Sequence, residues 1–437
     1  MATTQLTRPP DTGRFALPPE FTARPRQPVA LTWIATRSAM MVVLGLFGGP
    51  VTGDVLYYGR SLHGMFSGGS VRETLQEYPI PVLGVMLPQY LLGALNSVAF
   101  AFVFVASMLA VDATFTWLLW RVTGRQGSAA VTFWMWFVPA MGPIAYFRFD
   151  LVPAALAGAA LLATTRRPLW TGVLTAIGVG LKIWPVIMLP VFLIRRGGRG
   201  VIVGWFVLTC AALGAVSLAT GGAGRLISPL RWQGARGLQI ESVVATPLMI
   251  ARSLHPHHVW KVRTSQYKST ELFGAGVHAM LTVSTIATVA GLAVLVWLWF
   301  RTASTRDAPL ATLGWLILAA ATVITIVNKT LSPQYIIWLG GPLAALMVFS
   351  PRDAAVRRAA QVLIGLSVIT QLIYPIEYAK LVNVGWYTFP MTLLLAVRNV
   401  LLVWLACLAC AQVWRLTRTR ADARTPTAVP EREPTSE

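Results

Sequence analysis

Charge is what this chain is shortest of. Only 12% of its 437 residues are charged, and just 16 are acidic. Soluble globular domains carry about a quarter of their residues as Asp, Glu, Lys and Arg, so that class is excluded. The remainder is 55% hydrophobic with a mean hydropathy of +0.63, which defines an all-α polytopic membrane protein. Cysteine is almost missing as well. Cys210, Cys407 and Cys410 all lie in apolar runs, so there is neither a disulfide framework nor a zinc-ligand spacing. No Asp-x-Asp pair appears, and neither a metal nor a cofactor is expected. Lysine is scarce, five against 31 arginines. The net charge of +20 is therefore no nucleic-acid footprint, because arginine gathers in cytoplasmic loops of membrane proteins anyway. The first 29 residues are polar and Pro-rich, with no short apolar core and no small-residue cleavage site. They read as a cytoplasmic tail before an uncleaved helix.

What is present is a series of apolar runs punctuated by arginine clusters. A first helix over about 30–50 leads to an outer loop over about 51–85, and a second helix over about 86–120 returns to Arg121–Arg125. Helices over about 129–147 and from Leu151 to Arg166-Arg167 follow. Between Arg167 and Arg195 lie only 27 residues, interrupted by Lys182-Ile183-Trp184-Pro185. Two full spans need about 40, so this segment is expected to enter as two short helices and turn back. A helix over about 200–219 leads into a long basic outer loop, about 220–275. Helices over about 277–300, 308–327, 331–349, 358–376 and 387–414 complete the domain. The expectation is about ten full spans plus a re-entrant helix pair, both termini cytoplasmic, with the membrane domain at 30–415 and a disordered tail at 416–437. No internal repeat of the inverted transporter kind is visible.

Few polar residues stand where chemistry could use them. Asp54, in Gly53-Asp54-Val55-Leu56-Tyr57-Tyr58, is the first acidic residue after the tail and precedes two tyrosines. It is either a base or a helix-end carboxylate facing water. Glu73 and Glu77, spaced i and i+4, fit one solvated face of a short helix. Asp150 adjoins Arg148, a pairing at a membrane boundary that is more often structural. Lys329, between Asn328 and the Gln334-Tyr335 pair, could neutralise an anion or simply snorkel. Lys182, inside an apolar segment, calls for an internal ion pair or a watered pocket. Asp112, Arg37 and Arg398 are intramembrane charges expected to pair within the bundle. His255-Pro256-His257-His258 has no carboxylate or cysteine spacing to make a zinc site, and His257 and His258 are kept as residues near an anion. The Arg and Lys side chains around them make the long loop a candidate anion clamp.

Four stretches, in order, resemble the GT-C glycosyltransferases and more narrowly glycosyltransferase family 87. They are Gly53–Tyr58, Arg148-Phe149-Asp150-Leu151-Val152-Pro153-Ala154, Gly178–Pro185 and Asn328-Lys329-Thr330-Leu331-Ser332-Pro333-Gln334-Tyr335-Ile336-Ile337-Trp338-Leu339. The last is the most specific, and the likeness runs over about 30–415. The resemblance implies a multi-pass enzyme of the cytoplasmic membrane with its site on the extracytoplasmic side. It would move a sugar, mannose before arabinofuranose, from a polyprenyl-phosphate donor to a lipid or glycan acceptor with inversion. Asp54 would be the base. Tyr57, Tyr58, Arg148, Asp150, Lys329, Gln334, Tyr335, His257 and His258 would hold donor or phosphate. Membrane lipids are the only other partners expected. A lipid-linked glycan flippase and a non-catalytic prenyl-lipid binder are the rival classes.

Overall fold

The computed structural model describes residues 28–47, 49–93, 96–124, 128–255, 259–305 and 308–422. The chain opens with helices α1 (Val29–Phe47) and α2 (Gly49–Phe66), then α3 (Pro81–Leu92) and α4 (Ser97–Val122). Next come α5 (Ala129–Met141), the single turn α6 (Ile144–Phe147), α7 (Leu151–Ala163), α8 (Pro168–Leu181), α9 (Met188–Phe192) and α10 (Arg199–Gly221). A compact insertion follows, made of α11 (Ala223–Ala235), α12 (Thr246–Leu254) and an antiparallel hairpin, β1 (Trp260–Thr264) with β2 (Thr270–Gly274). The rest is α13 (Val277–Ala303), α14 (Leu310–Val327), α15 (Ile337–Phe349), α16 (Ala354–Gln371), α17 (Tyr378–Val382) and α18 (Thr388–Asp422).

Among the described residues seven helices are long and apolar enough to cross a membrane, with α14 largely buried at the centre and α13 almost bare at the rim. Several segments read from the sequence as single spans are shorter pieces. The 86–120 run is broken after Gly93, and Asn96 starts α4 by accepting hydrogen bonds from the Val98 and Ala99 amides. Its side chain satisfies amide donors that a helix start leaves open. The 129–147 run breaks at Gly142, whose φ of +70° suits glycine. Residues 168–192 form two short helices around an extended Lys182 and a single turn at Trp184–Ile187, as their length predicts.

Three further expectations are corrected. The supposed outer loop at 51–85 begins as helix α2, so Asp54 sits on a helix and not in a loop. The described residues of the 220–275 stretch are folded: Leu238 and Ile240 pair with the hairpin and join Met249, Leu272, Ile373 and Leu395 in a small core of their own. Periodicity missed the insertion because its apolar faces are short and cover only this local core. The last helix runs to Asp422, past the boundary read at 415.

Intramembrane charges find partners, as burial demands. Asp112, fully buried, accepts from Arg37 at 2.8 and 3.0 Å, Trp33 at 3.0 Å, Trp134 at 2.7 Å and Tyr146 at 2.6 Å, tying α1, α4, α5 and α6 together. Arg398 of α18 reaches Glu241 of the insertion at 2.8 Å, both side chains wholly buried. The arginine-bearing turns at Arg121, Arg166-Arg167, Arg195-Arg196, Arg301 and Arg352–Arg358 lie at one set of helix ends. Asp150, Lys182 and Asn328 lie at the other ends of α7, α8 and α14.

Helices α7 and α15 touch along their backbones. A Cβ on Gly341 would fall 1.8 Å from the Ala154 carbonyl oxygen, and one on Gly158 2.6 Å from that of Gly341. Small residues permit this approach where no apolar solvent effect pulls helices together. It also sets the N-terminal end of α7, with Asp150, against the start of α15, with Trp338. Gly341→Ala is expected to lower the thermal midpoint in detergent, since overpacking of this kind costs about 1–3 kcal/mol. An unchanged midpoint would show that the two helices can part without loss.

Candidate active site

Helix α2 spaces Asp54, Tyr57 and Tyr58 at i, i+3 and i+4, hence on one face. Tyr58 is fully buried among Tyr78, Phe104 and Phe149, and its hydroxyl lies 3.2 Å from that of Tyr78. That packing fixes the rotation of the helix and leaves Asp54 and Tyr57 at the edge. The Asp54 carboxylate forms an ion pair with Arg148, which stands on the extended link between α6 and α7. The Tyr57 hydroxyl donates to Glu77 Oε1 at 2.8 Å. Burial pushes the Asp54 carboxyl above its ordinary value, against the pull of the Arg148 and Lys268 charges. A carboxyl shifted this way is a stronger base once ionised.

Glu77 is held in place by its backbone neighbours. Arg225 of α11 donates to the carbonyl oxygens of Thr74 at 3.0 Å, Leu75 at 2.9 Å and Tyr78 at 2.8 Å, while Ser228 donates to that of Gln76 at 2.9 Å. Residues 71–77 are turns, with Leu75 at φ +49°, and not the short helix expected. Glu73 is exposed and Glu77 buried, so the two share no solvated face.

The second centre is Asp150. Its carboxylate is 1% exposed and accepts from Lys182 Nζ and from Trp338 Nε1, each at 2.7 Å. Trp338 stacks on Tyr335, 4.0 Å between ring centroids, and on Trp184, 5.5 Å. The Lys182 ammonium lies 5.1–5.8 Å from the ring centroids of Tyr78, Phe149, Tyr335 and Trp338. These ring faces add cation–π attraction to the ion pair. The break after α8 is what delivers this lysine: in extended conformation it leaves the helix and turns to the end of α7.

Both centres border one cavity of about 390 Å³. Asp54, Tyr57, Glu77 and Arg148 line one part, Lys182, Trp184, Tyr335 and Trp338 another, and Gln233, Arg236 and Lys268 come from the insertion. The size suits one sugar ring with its linking group.

Of the residues expected to work together, Asp54, Tyr57, Arg148, Gln334 and Tyr335 line this cavity. Asp150 lies behind Lys182 and Tyr58 behind Tyr57, so both support the wall without forming it. Lys329 is not in the lining. Its ammonium donates to the Gly234 carbonyl at 2.8 Å and closes a loop contact, so it is not among the residues brought to the cavity. His257 and His258 lie outside the described residues. The sequence reads Glu77 as a solvated carboxylate and Lys182 as one half of an internal ion pair or a resident of a watered pocket. It marks Arg236 and Lys268 only as members of a basic loop able to clamp an anion, and it assigns Trp338 no role. For Lys182 the signal was present, a charge inside an apolar run beside Trp-Pro. For Arg236 and Lys268 the signal was the basic run of the loop as a whole, since nothing local marks these two residues above the rest.

Residues 77–228 match the model of glycosyltransferase family 87, a segment holding Glu77, Arg148, Asp150, Lys182 and Arg225. Fold and match together define the class, a polytopic membrane glycosyltransferase resembling family 87. No curated protein and no solved structure matches the chain.

Removing Lys182 would leave Asp150 buried with a single neutral donor. Lys182→Met is expected to destabilise by about 3–5 kcal/mol, the usual cost of orphaning a buried ion-pair partner. Asp150→Asn with Lys182→Met should recover part of that loss. Thermal unfolding of both in detergent reads the effect, and an unaltered Lys182→Met midpoint would sever the link between this pair and the fold.

Proposed function

We propose that the protein transfers a mannosyl group from a polyprenyl-phosphate donor to a lipid or glycan acceptor at the outer face of the cytoplasmic membrane. The observation that carries this reading is a carboxylate of raised pKa, Asp54, at the wall of a sugar-sized cavity that also presents cations and stacked aromatic rings. A lipid-linked donor accounts for a cavity built from helix ends, where a prenyl chain can stay in hydrocarbon while its phosphate reaches polar groups. The orientation is supported by the arginine-bearing turns at Arg121, Arg166-Arg167, Arg195-Arg196, Arg301 and Arg352–Arg358. They share the helix ends opposite Asp150 and Lys182, as cytoplasmic turns do, although the insertion is basic as well.

In this reading the Asp54 carboxylate takes the proton of the acceptor hydroxyl. The acceptor oxygen then bonds to the sugar C1 from the face opposite the phosphate. The bond from C1 to the phosphate oxygen breaks, its electron pair goes to that oxygen, and polyprenyl phosphate departs with the anomeric configuration inverted. Phosphate leaves well without protonation, so one carboxylate suffices where glycoside hydrolases need two. Arg148 keeps Asp54 pointed and charged, and Tyr57 with Glu77 offers a hydrogen-bonding edge for sugar hydroxyls.

The test is sugar transfer by the purified protein in nanodiscs, with labelled polyprenyl-phosphate-mannose and a membrane-lipid acceptor extract. Asp54→Asn should lower transfer by about 10²–10⁴-fold, the usual worth of a general base. Equal product from wild type and variant would remove Asp54 from the mechanism. Product from polyprenyl-phosphate-arabinose alone would overturn the sugar assignment. The base must be ionised, so kcat/KM should fall as pH drops through the Asp54 pKa. Because burial raises that pKa, the fall should begin above the ordinary carboxylate value of about 4. An acidic limb at or below that value would contradict the site's electrostatics.

A further inference from the structure

The cavity holds more positive charge than its own carboxylates use. Arg148 is matched by Asp54 and Lys182 by Asp150, while Glu77, the other lining carboxylate, accepts from the Tyr57 hydroxyl and attracts Lys268 at longer range. The other two lining cations, Arg236 and Lys268, make no ion pair among the described residues. Both come from the insertion between α10 and α13, and they are linked to each other. Arg236 donates to the Tyr267 carbonyl at 3.3 Å, and the next residue, Lys268, sets its ammonium 3.1 Å from the ring centroid of Tyr57. Tyr267 in turn packs edge-on against Trp232 of α11. The hairpin tip and the end of α11 thus form one basic wall of the cavity that Asp54 also lines. Lys268 sits in the left-handed region at φ +55°, a conformation that holds it at this tip.

A second observation points to a ligand there. The donors Arg236 Nε, Arg148 Nε and Trp184 Nε1 and the acceptor Gln334 Oε1 are buried with no hydrogen-bond partner, and all four residues line this cavity. Buried polar atoms are seldom left unmade in a native state. Beside them the wall turns apolar and open: Leu230 is 58% exposed, Ile183 41% and Val186 40%. Unpaired cations next to exposed branched side chains fit a ligand with an anionic head and a long hydrocarbon tail.

We infer that Arg236 and Lys268 form the phosphate subsite of the cavity, and that Ile183, Val186 and Leu230 carry the first isoprene units of a polyprenyl phosphodiester. The identity of this lipid rests on the glycosyl-transfer reading above; the charge and the apolar track stand without it. Arg148 and Lys182 are poorer candidates, because each would have to give up an aspartate to take a phosphate. Arg236 offers a planar fork of donors and Lys268 a mobile point charge, complementary ways of holding one phosphate.

The test is binding of a polyprenyl monophosphate, the reaction's stable leaving group, to the full-length protein in nanodiscs, followed by tryptophan fluorescence. Inorganic phosphate and the matching prenol serve as separate probes. Arg236→Gln and Lys268→Gln are each expected to weaken polyprenyl phosphate binding about tenfold or more, as loss of a charge-assisted contact does. Prenol binding should not change in either variant, and Leu230→Asp should weaken prenol and polyprenyl phosphate together. Wild-type affinity in Lys268→Gln, an exposed position that folding does not depend on, would overturn the subsite. Inorganic phosphate binding as tightly as polyprenyl phosphate would overturn the apolar track. Asp54→Asn should bind polyprenyl phosphate normally while failing to transfer sugar. Binding that needs Arg236 and Lys268 in a wild type that transfers no sugar would keep the subsite and refute the transferase reading instead.

Discussion

A carboxylate that cannot be left alone holds this site together. Asp150 is almost wholly buried at the start of α7, where an ionised group without partners would be very costly. Its two donors come from different parts of the chain, Lys182 from the break after α8 and Trp338 from the start of α15. Satisfying one charge therefore fixes the relative position of three helix ends. The aromatic stack of Trp184, Trp338 and Tyr335 is laid on that frame. The glycine contact between α7 and α15 makes the frame reachable, since a bulkier residue at Gly341 would hold Trp338 away from Asp150.

The same economy of burial recurs around the cavity. Arg225 spends its donors on three backbone oxygens and so moulds the turn that presents Glu77. Arg398 and Glu241 pin the insertion to α18, and Arg252 does so to α17 through the Leu381 and Val382 carbonyls. Each buried cation is tied to groups distant in sequence, as an interior of low polarity requires. Arg236 and Lys268 also lack an ion pair among the described residues, but unlike Arg225 and Arg252 they line the cavity, and their contacts are with a carbonyl, an amide oxygen and a ring face. Two such cations at a cavity wall are a natural seat for an anion.

Much was legible before any fold was known. The shortage of charge and the length of the apolar runs specify a helical membrane protein, because hydrocarbon leaves backbone polar groups no other partner than their own helix. The 27 residues between two arginine clusters are too few for two spans, and a broken pair of short helices is what they form. Asp112, Arg37 and Arg398 are expected from sequence to pair within the bundle; Arg37 does meet Asp112, whereas Arg398 meets Glu241 of the insertion, and both follow from the same electrostatic cost. Asn96, by contrast, is a helix start hidden inside an apolar run, and one polar residue does not outweigh the hydropathy on either side of it.

Sequence alone thus determined the class of protein and its helical economy and offered a list of polar candidates, since composition and spacing act locally along the chain. Tertiary structure alone decided which of them share a cavity. Lys329 and Lys182 look alike on paper, each a lone lysine beside a Pro-marked helix start. Only the packing turns one to a loop carbonyl and sets the other in the cavity wall. Glu77, Arg236 and Lys268 reach Asp54 across separations of 23 residues and more, and no local pattern encodes a contact made by the crossing of helices. The physical reason is that a side chain's charge belongs to the sequence, whereas its neighbours, and with them its chemistry, belong to the fold.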